Sequence, residues 1–178
     1  MPYLFMLCGP SGIGKSYLRE KEDLKPYVSR DEIRFSILRE NDEYFSKETL
    51  VRNTYVHTLA WYLANGVNVF ADSTNLNPVK RHALMLDIRQ AYKMMRHKGK
   101  RKPIKLITID CVPQDIKTLD ELFAVCKENN AKRTGRSLVP ENDLLAMCKV
   151  YVRPNEYDES WIYKNIHIED INAVWKPM

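Results

Sequence analysis

Eight residues near the amino terminus restrict the folds that this chain can adopt. They match the pattern G-x-x-x-x-G-K-[ST] in full and read Gly9-Pro10-Ser11-Gly12-Ile13-Gly14-Lys15-Ser16. An uninterrupted apolar run, Tyr3–Cys8, precedes them, and good helix formers follow over residues 15–22. Short apolar runs of this kind are typical of a strand that is buried on both faces of a parallel sheet. The sequence therefore predicts a strand, a tight turn and a helix at the start of an α/β fold.

This segment has the chemistry of a site for nucleotide phosphates. Glycines let the backbone bend so that several N–H groups converge on an anion, and the positive end of the following helix adds to the attraction. In this pattern, Lys15 reaches the β- and γ-phosphate oxygens of ATP or GTP, while the hydroxyl of Ser16 coordinates Mg²⁺. A chance glycine-rich turn is the alternative, but the full match and the flanking strand and helix disfavour it. We expect residues 9–16 to bind an NTP with Mg²⁺.

The rest of the chain alternates between strand and helix patterns. Further strands are predicted at 26–29, 67–71, 104–109 and 161–168, and helices at 31–38, 47–65, from residue 78 onward, 113–130 and 140–153. This alternation predicts a three-layer α/β sandwich with a mainly parallel central sheet. The 178 residues contain no repeat or linker, so residues 1–178 are predicted to form a single domain.

Composition indicates which cellular compartment and which kinds of partner suit this chain. The four cysteines form no C-x-x-C pair and no histidine lies near them at zinc-ligand spacing, which favours free thiols in a reducing compartment. The chain has neither a signal-peptide pattern nor a stretch approaching the ~18 apolar residues of a membrane span. These features predict a soluble cytoplasmic protein without a membrane partner. The net charge of +5 suits an anionic substrate, although only weakly.

Two residues after the second predicted strand are candidates for the acceptor side of a phosphotransfer site. Asp31 and Arg34 are three residues apart, so on a helix they share a face and can point into one cleft. A kinase needs a carboxylate to accept the proton of an incoming hydroxyl, and cations to hold an anionic substrate. A solvated helix start is the alternative, and taken alone these two residues favour it.

A third apolar strand ends at Asp72, where functional groups of parallel sheets collect. Asp72 is therefore a candidate for organising Mg²⁺ and its waters, and for contacting substrate. Thr74 is a second substrate-side candidate, with capping of the next helix by Thr74 or Asn75 as the alternative. Asn77 is the favoured cap of that helix.

Two basic segments differ in what they predict. Residues 131–136 form a cationic loop between two helices, which could close over ATP and offer Arg133 or Arg136 to the charge on the transferring phosphoryl group. A flexible exposed connection is the alternative. The stretch at 96–102 has no interleaved aromatic residues, which favours a solvated turn, with a minor electrostatic role on DNA or RNA left open.

Taken in order, these segments resemble the kinase domain of bacteriophage-type polynucleotide 5′-hydroxyl kinases. The resemblance covers most of the chain and is carried by residues 9–16, the R-D-x-x-R segment at 30–34, the T-N-L-N-P segment at 74–78 with Arg81, and residues 130–140. It implies a P-loop kinase-like fold with a small lid at about 131–139. It also implies transfer of the γ-phosphate of ATP or another NTP to the 5′-hydroxyl end of DNA or RNA.

The resemblance assigns roles to individual residues. The general base would be Asp31, the contact to a polynucleotide phosphate Arg34, and the lid arginine on the donor phosphates Arg133. Ser73 stands between Asp72 and Thr74, where the well-known phage enzyme has acid and threonine adjacent, so the role of Asp72 stays open. No D-x-D-x-T motif occurs, so no 3′-phosphatase activity is expected. The alternatives are a kinase for a small hydroxyl compound or a tRNA-linked amino acid, and a non-catalytic NTP-binding module.

Overall fold

A computed structural model describes residues 1–95 and 100–171, and within them the chain alternates between strands and helices. The five strands are β1 (Tyr3–Cys8), β2 (Tyr27–Ser29), β3 (Val69–Asp72), β4 (Lys105–Asp110) and β5 (Lys164–His167). The six α-helices are α1 (Lys15–Lys21), α2 (Arg30–Ile37), α3 (Glu48–Ala64), α4 (Pro78–Met94), α5 (Leu119–Ala131) and α6 (Glu141–Lys149). Short 3-10 helices lie at Gly135–Ser137 and Ile168–Asp170.

The central sheet has the strand order β2-β3-β1-β4-β5, and all four pairings are parallel. The expected α/β class is confirmed, and the sheet is wholly rather than mainly parallel among the described strands. Register places Leu7 beside Asp72 on one side and Cys8 beside Asp110 on the other. The carboxyl ends of β1, β3 and β4 therefore meet at one edge, where ligands bind in sheets of this kind.

Each face of the sheet packs on its own layer of helices. Alternate residues of β1 point to opposite faces, so Leu4 and Met6 join the core under α3 and α4, whereas Phe5 and Leu7 join the core under α1, α5 and α6. All four side chains are at most 5% exposed. Burial on both faces explains the uninterrupted apolar run, because neither face of β1 meets water. The result is a three-layer sandwich.

Two predicted helix bounds are wrong. Helix α5 begins at Leu119 rather than at Pro113, because Thr118 and Glu121 form a capping box that satisfies the first free N–H groups. Helix α6 ends at Lys149 rather than at Arg153. The chain leaves this helix early because the Val152 N–H donates to the Leu76 carbonyl at 2.8 Å.

Two sequence-based expectations concern membrane spans and the basic stretch at 96–102. Within residues 1–95 and 100–171, no helix combines the length and apolar character that crossing a membrane requires. Arg96 and Lys98, the start of the basic stretch at 96–102, lie outside the described residues.

Candidate active site

The glycine-rich segment connects β1 to α1 and is held from two sides. The Gly9 N–H donates to the Thr74 carbonyl at 2.9 Å, which ties the segment to the loop after β3. The Asn129 side chain donates to the Gly12 carbonyl at 2.9 Å, which ties it to α5. Gly12 has a φ of +83°, and a Cβ there would lie 2.4 Å from the Cys126 carbonyl oxygen. Helix α1 starts without a side-chain cap, so its first N–H groups stay available to an anion.

Lys15 lies over the same segment. Its ammonium group donates to the carbonyls of Gly9 at 2.9 Å and Pro10 at 2.7 Å. Burial lowers the pKa of Lys15, with the Asp72 carboxylate acting against that shift. Because its two hydrogen-bond partners are neutral carbonyls, the ammonium keeps an uncompensated positive charge that can attract a phosphate.

Ser16 and Asp72 could together organise Mg²⁺. Ser16 is exposed at the start of α1, and Asp72 is 7% exposed at the end of β3. Arg19 donates to Oδ2 of Asp72 at 3.0 Å, and no hydrogen bond within the described residues reaches Oδ1. Burial raises the pKa of Asp72, with Lys15 and Arg19 opposing the shift. A hydroxyl and a carboxylate suit Mg²⁺, which keeps several waters and takes few protein ligands.

The acceptor candidate Asp31 projects from the first turn of α2. Ser29 caps this helix by accepting from the Glu32 N–H at 3.4 Å. Asp31 keeps 63% of its side chain exposed, and its Oδ1 accepts from Arg34 and, at 3.1 Å, from the Tyr44 hydroxyl. No described residue donates to Oδ2. Two donors therefore hold Oδ1, whereas Oδ2 has no donor among the described residues.

Arg34 is far more buried than a surface ion. It is 4% exposed, and its terminal nitrogens donate to Asp31, to Glu48 at 2.8 Å and to the Tyr44 hydroxyl at 2.9 Å. Burial favours a higher pKa for Glu48, but hydrogen bonds from Arg34 and Arg30 outweigh it and lower that pKa. Burial and the nearby Asp31 charge raise the pKa of Tyr44 to about 12, so its hydroxyl stays protonated as a donor.

Sequence reasoning missed Tyr44 and Glu48. Both follow α2, and neither belongs to a recognisable pattern: Tyr44 lies in a turn, and Glu48 is an acid in the first turn of α3 that looks like an ordinary helix start. A contact across 13 or 14 positions leaves no periodic signal.

The two arginines of the predicted lid contact different parts of the protein. Arg133 donates to the Ser11 hydroxyl at 2.8 Å. Arg136 instead donates to the carbonyls of Arg39 and Glu40, in the loop between α2 and α3. The two ends of the lid are joined by Asn130, whose side chain donates to the Val139 carbonyl at 2.8 Å.

The loop after β3 is organised by asparagines. Asn77 accepts from the Lys80 N–H at 3.1 Å and caps α4, as expected. The 5% exposed Asn75 donates to the Leu7 carbonyl at 2.7 Å, which fixes this loop on β1. Because Asn77 is the cap, Thr74 is not, and Thr74 lines the cleft instead.

One cavity of about 770 Å³ collects most of the predicted site residues. Those that line it are Ser11, Gly12, Ile13, Gly14, Lys15, Ser16, Asp31, Arg34, Asp72, Thr74 and Arg133. Gly9, Pro10 and Arg136 do not line it. The glycine-rich segment, the candidate base Asp31 and Arg133 of the predicted lid thus share one cleft at the carboxyl edge of the sheet.

Comparisons with known proteins identify the family and the fold of this chain. A protein-family model, AAA_33, described as an AAA domain, matches residues 4–154. Curated proteins give no significant match. Among solved structures, a fungal RNA kinase shares 18% identity at a TM-score of 0.64, covering 93% of this chain and 74% of the fungal one.

Two further structures resemble this chain. A protein from Chloroflexus aurantiacus j-10-fl, named as a candidate kinase, has 16% identity and a TM-score of 0.62, covering 98% of this chain and 99% of its own. Kti12 from Chaetomium thermophilum, in complex with ADP-AlF3, has 16% identity and a TM-score of 0.51, covering 93% of this chain and 88% of its own. At these identities the structural matches show a shared P-loop kinase-like fold and do not single out the phage-type kinases.

Proposed function

The chain belongs to the AAA domain family AAA_33, and we propose that it is a Mg²⁺-dependent kinase. It transfers the γ-phosphoryl group of ATP or another NTP to the 5′-hydroxyl end of DNA or RNA. The observation that carries the proposal is that Asp31, whose Oδ2 accepts no hydrogen bond from a described residue, lines the same cavity as Lys15 and Ser16.

The donor side of the reaction follows from the phosphate loop. Residues 9–16 bind the phosphates, with the ammonium of Lys15 on the β- and γ-phosphate oxygens. Ser16 and Asp72 would hold Mg²⁺, which would supply positive charge to offset the charge of the phosphates. Arg133, already in contact with Ser11, stabilises the charge that develops on the transferring phosphoryl group.

The acceptor side depends on Asp31. Its Oδ2 accepts the proton of the incoming 5′-hydroxyl as the new O–P bond forms and the bond to the ADP oxygen breaks. Arg34 and Tyr44 hold the carboxylate in one orientation, because both donate to Oδ1. Arg34 also pairs with Glu48, so a polynucleotide phosphate that contacts Arg34 shares the guanidinium with that carboxylate.

Nucleic acid is the acceptor that we propose. Five basic side chains line the cavity beside four acidic ones, and a fungal protein with this fold is named an RNA kinase. A lid that reaches both the phosphate loop through Arg133 and the loop after α2 through Arg136 can close over a donor and an acceptor together.

The test is transfer of label from γ-labelled ATP to matched 5′-hydroxyl DNA and RNA oligonucleotides. We expect Asp31→Asn to lower kcat by about 10²- to 10⁴-fold while ATP affinity stays within about twofold. The matched control is Asp87→Asn, which removes a carboxylate paired with Arg52 outside the cavity and should leave transfer unchanged. Wild-type transfer by Asp31→Asn would remove the assigned base. Label on small hydroxyl compounds but on no oligonucleotide would redirect the acceptor, and tight ATP binding without any transfer would favour a binding module.

A further inference from the structure

Three aromatic rings form the acceptor-side wall of the cavity. Phe35, Tyr44 and Phe45 all line it, together with Asp31. The rings of Phe35 and Tyr44 meet edge to face at 6.1 Å between centroids, and those of Tyr44 and Phe45 at 4.8 Å. This aromatic wall is attached to the acid, because the Tyr44 hydroxyl donates to Asp31 at 3.1 Å.

Phe45 stays largely uncovered by the protein's own residues. Its side chain is 66% exposed, and Phe35 is 36% exposed. The guanidinium of Arg34 lies 5.7 Å from the Phe45 ring centroid, compared with 4.4 Å for Tyr44. A cation–π contact therefore explains the position of Tyr44 better than that of Phe45. A flat apolar surface is left open beside the reacting groups.

The turn that carries Phe45 is fixed before any ligand binds. Asp42 accepts from the Arg39 N–H at 2.8 Å and from the Lys47 ammonium at 2.6 Å, which closes the loop between α2 and α3. The Ser46 N–H donates to the Glu43 carbonyl at 3.0 Å. A ring held in this way loses little conformational entropy when a second ring stacks on it.

We propose that Phe45, backed by Tyr44 and Phe35, stacks on the nucleobase of the acceptor's terminal nucleotide. The inference rests on the proposed function, and it specifies an acceptor that offers a hydroxyl to Asp31 and a planar ring to Phe45 at the same time. Stacking on an aromatic side chain tolerates every base, because each base has a π-face. The site therefore selects for a base-bearing terminus rather than for a particular sequence.

The test compares two 5′-hydroxyl oligonucleotides that differ only in the terminal residue, one with a base and one abasic. Stacking of one base is worth a factor of about 5 to 150, so wild-type protein should prefer the base-bearing strand by about tenfold in kcat/KM. Phe45→Ala should lose this preference, because its KM for the base-bearing strand rises towards its KM for the abasic strand while the ratio of the two kcat values stays as in wild type. Phe45→Trp should keep it. Tyr157→Ala, which truncates a 90% exposed aromatic residue outside the cavity, is the matched control and should behave as wild type.

A second readout separates this inference from the kinase proposal. A 2-aminopurine at the 5′ end should lose fluorescence on binding to wild-type protein and keep it with Phe45→Ala. The stacking site is overturned if oligonucleotides are phosphorylated without quenching of the 2-aminopurine. It is also overturned if Phe45→Ala lowers kcat/KM equally on both strands, because the ring then packs on the sugar. Quenching that depends on Phe45 without any transfer supports the stacking site and defeats the proposed function. If neither transfer nor quenching occurs, both fail.

Discussion

Replacing Gly12 by alanine is the sharpest probe of how the phosphate loop is packed. The backbone of Gly12 has a φ of +83°, where a side chain is strained whatever space surrounds it. A Cβ at this position would also lie 2.4 Å from the Cys126 carbonyl oxygen in α5 and 3.1 Å from the Cys126 Cα. Because these atoms are backbone, they can move only if α5 moves.

Gly66 offers a matched control for the strain alone. It follows α3 with a φ of +78°, and a Cβ there would meet nothing within 4 Å. Left-handed backbone costs about 1–2 kcal/mol for a residue with a Cβ, and this cost applies to both variants. Overpacking adds about 1–3 kcal/mol and applies to Gly12→Ala only. We expect Gly12→Ala to lose about 2–5 kcal/mol of unfolding free energy and Gly66→Ala about 1–2 kcal/mol.

Urea denaturation and calorimetry measure this difference. At about 2–4 °C per kcal/mol for a chain of this size, Gly12→Ala should melt about 2–12 °C below Gly66→Ala. Displacing α5 also disturbs the Asn129 hydrogen bond to Gly12, so Gly12→Ala should bind ATP more weakly while Gly66→Ala binds it normally. Equal melting temperatures for the two variants would refute the idea that α5 presses on the phosphate loop.

Two further predictions concern buried charges. Arg81 and Glu159 are 0% and 3% exposed and pair within the protein, so Arg81→Met or Glu159→Leu alone should each lower the free energy of unfolding by about 3–5 kcal/mol, and the double variant with both changes should lower it by less than the sum. A urea double-mutant cycle measures this, and strict additivity would contradict the pairing. Burial lowers the pKa of Lys15 below the usual 10.5, so between the lowered pKa and 10.5 the unfolded chain binds more protons and wild-type stability rises with pH. Lys15→Met should therefore have a higher urea midpoint than wild type at pH 7, and this difference in midpoint should narrow as the pH rises towards 10.5. A difference in midpoint that does not depend on pH would contradict this reasoning.

Much of the fold could be predicted from local patterns. Strand β1 has the predicted bounds Tyr3–Cys8, and Asn77 caps α4 as expected. Both follow from short-range chemistry: an apolar run fits only a doubly buried strand, and an asparagine before proline satisfies the first N–H groups of a helix. The start of α5 was misplaced because Pro113 is a favoured first helical residue, but the capping box at Thr118 binds those N–H groups instead.

The candidate site could be predicted in part. Lys15, Asp31, Asp72 and Arg133 were named from the sequence, and the structure places all four on one cavity. Arg136 lies against the loop between α2 and α3 instead of lining that cavity, because two backbone carbonyls there accept its guanidinium. A loop pattern indicates a cationic segment without indicating where each cation points.

Local sequence specifies the phosphate loop and the strand and helix on either side of it, since glycine conformation, helix capping and an uninterrupted apolar run are properties of neighbouring residues. Three arrangements instead come from the packed fold: Tyr44 and Glu48 contact Asp31 and Arg34, Arg133 reaches Ser11 across 122 positions, and Cys126 lies under Gly12. These contacts form when the helix layers close on the sheet, and they depend on the three-dimensional course of loops whose sequences carry no periodic signal.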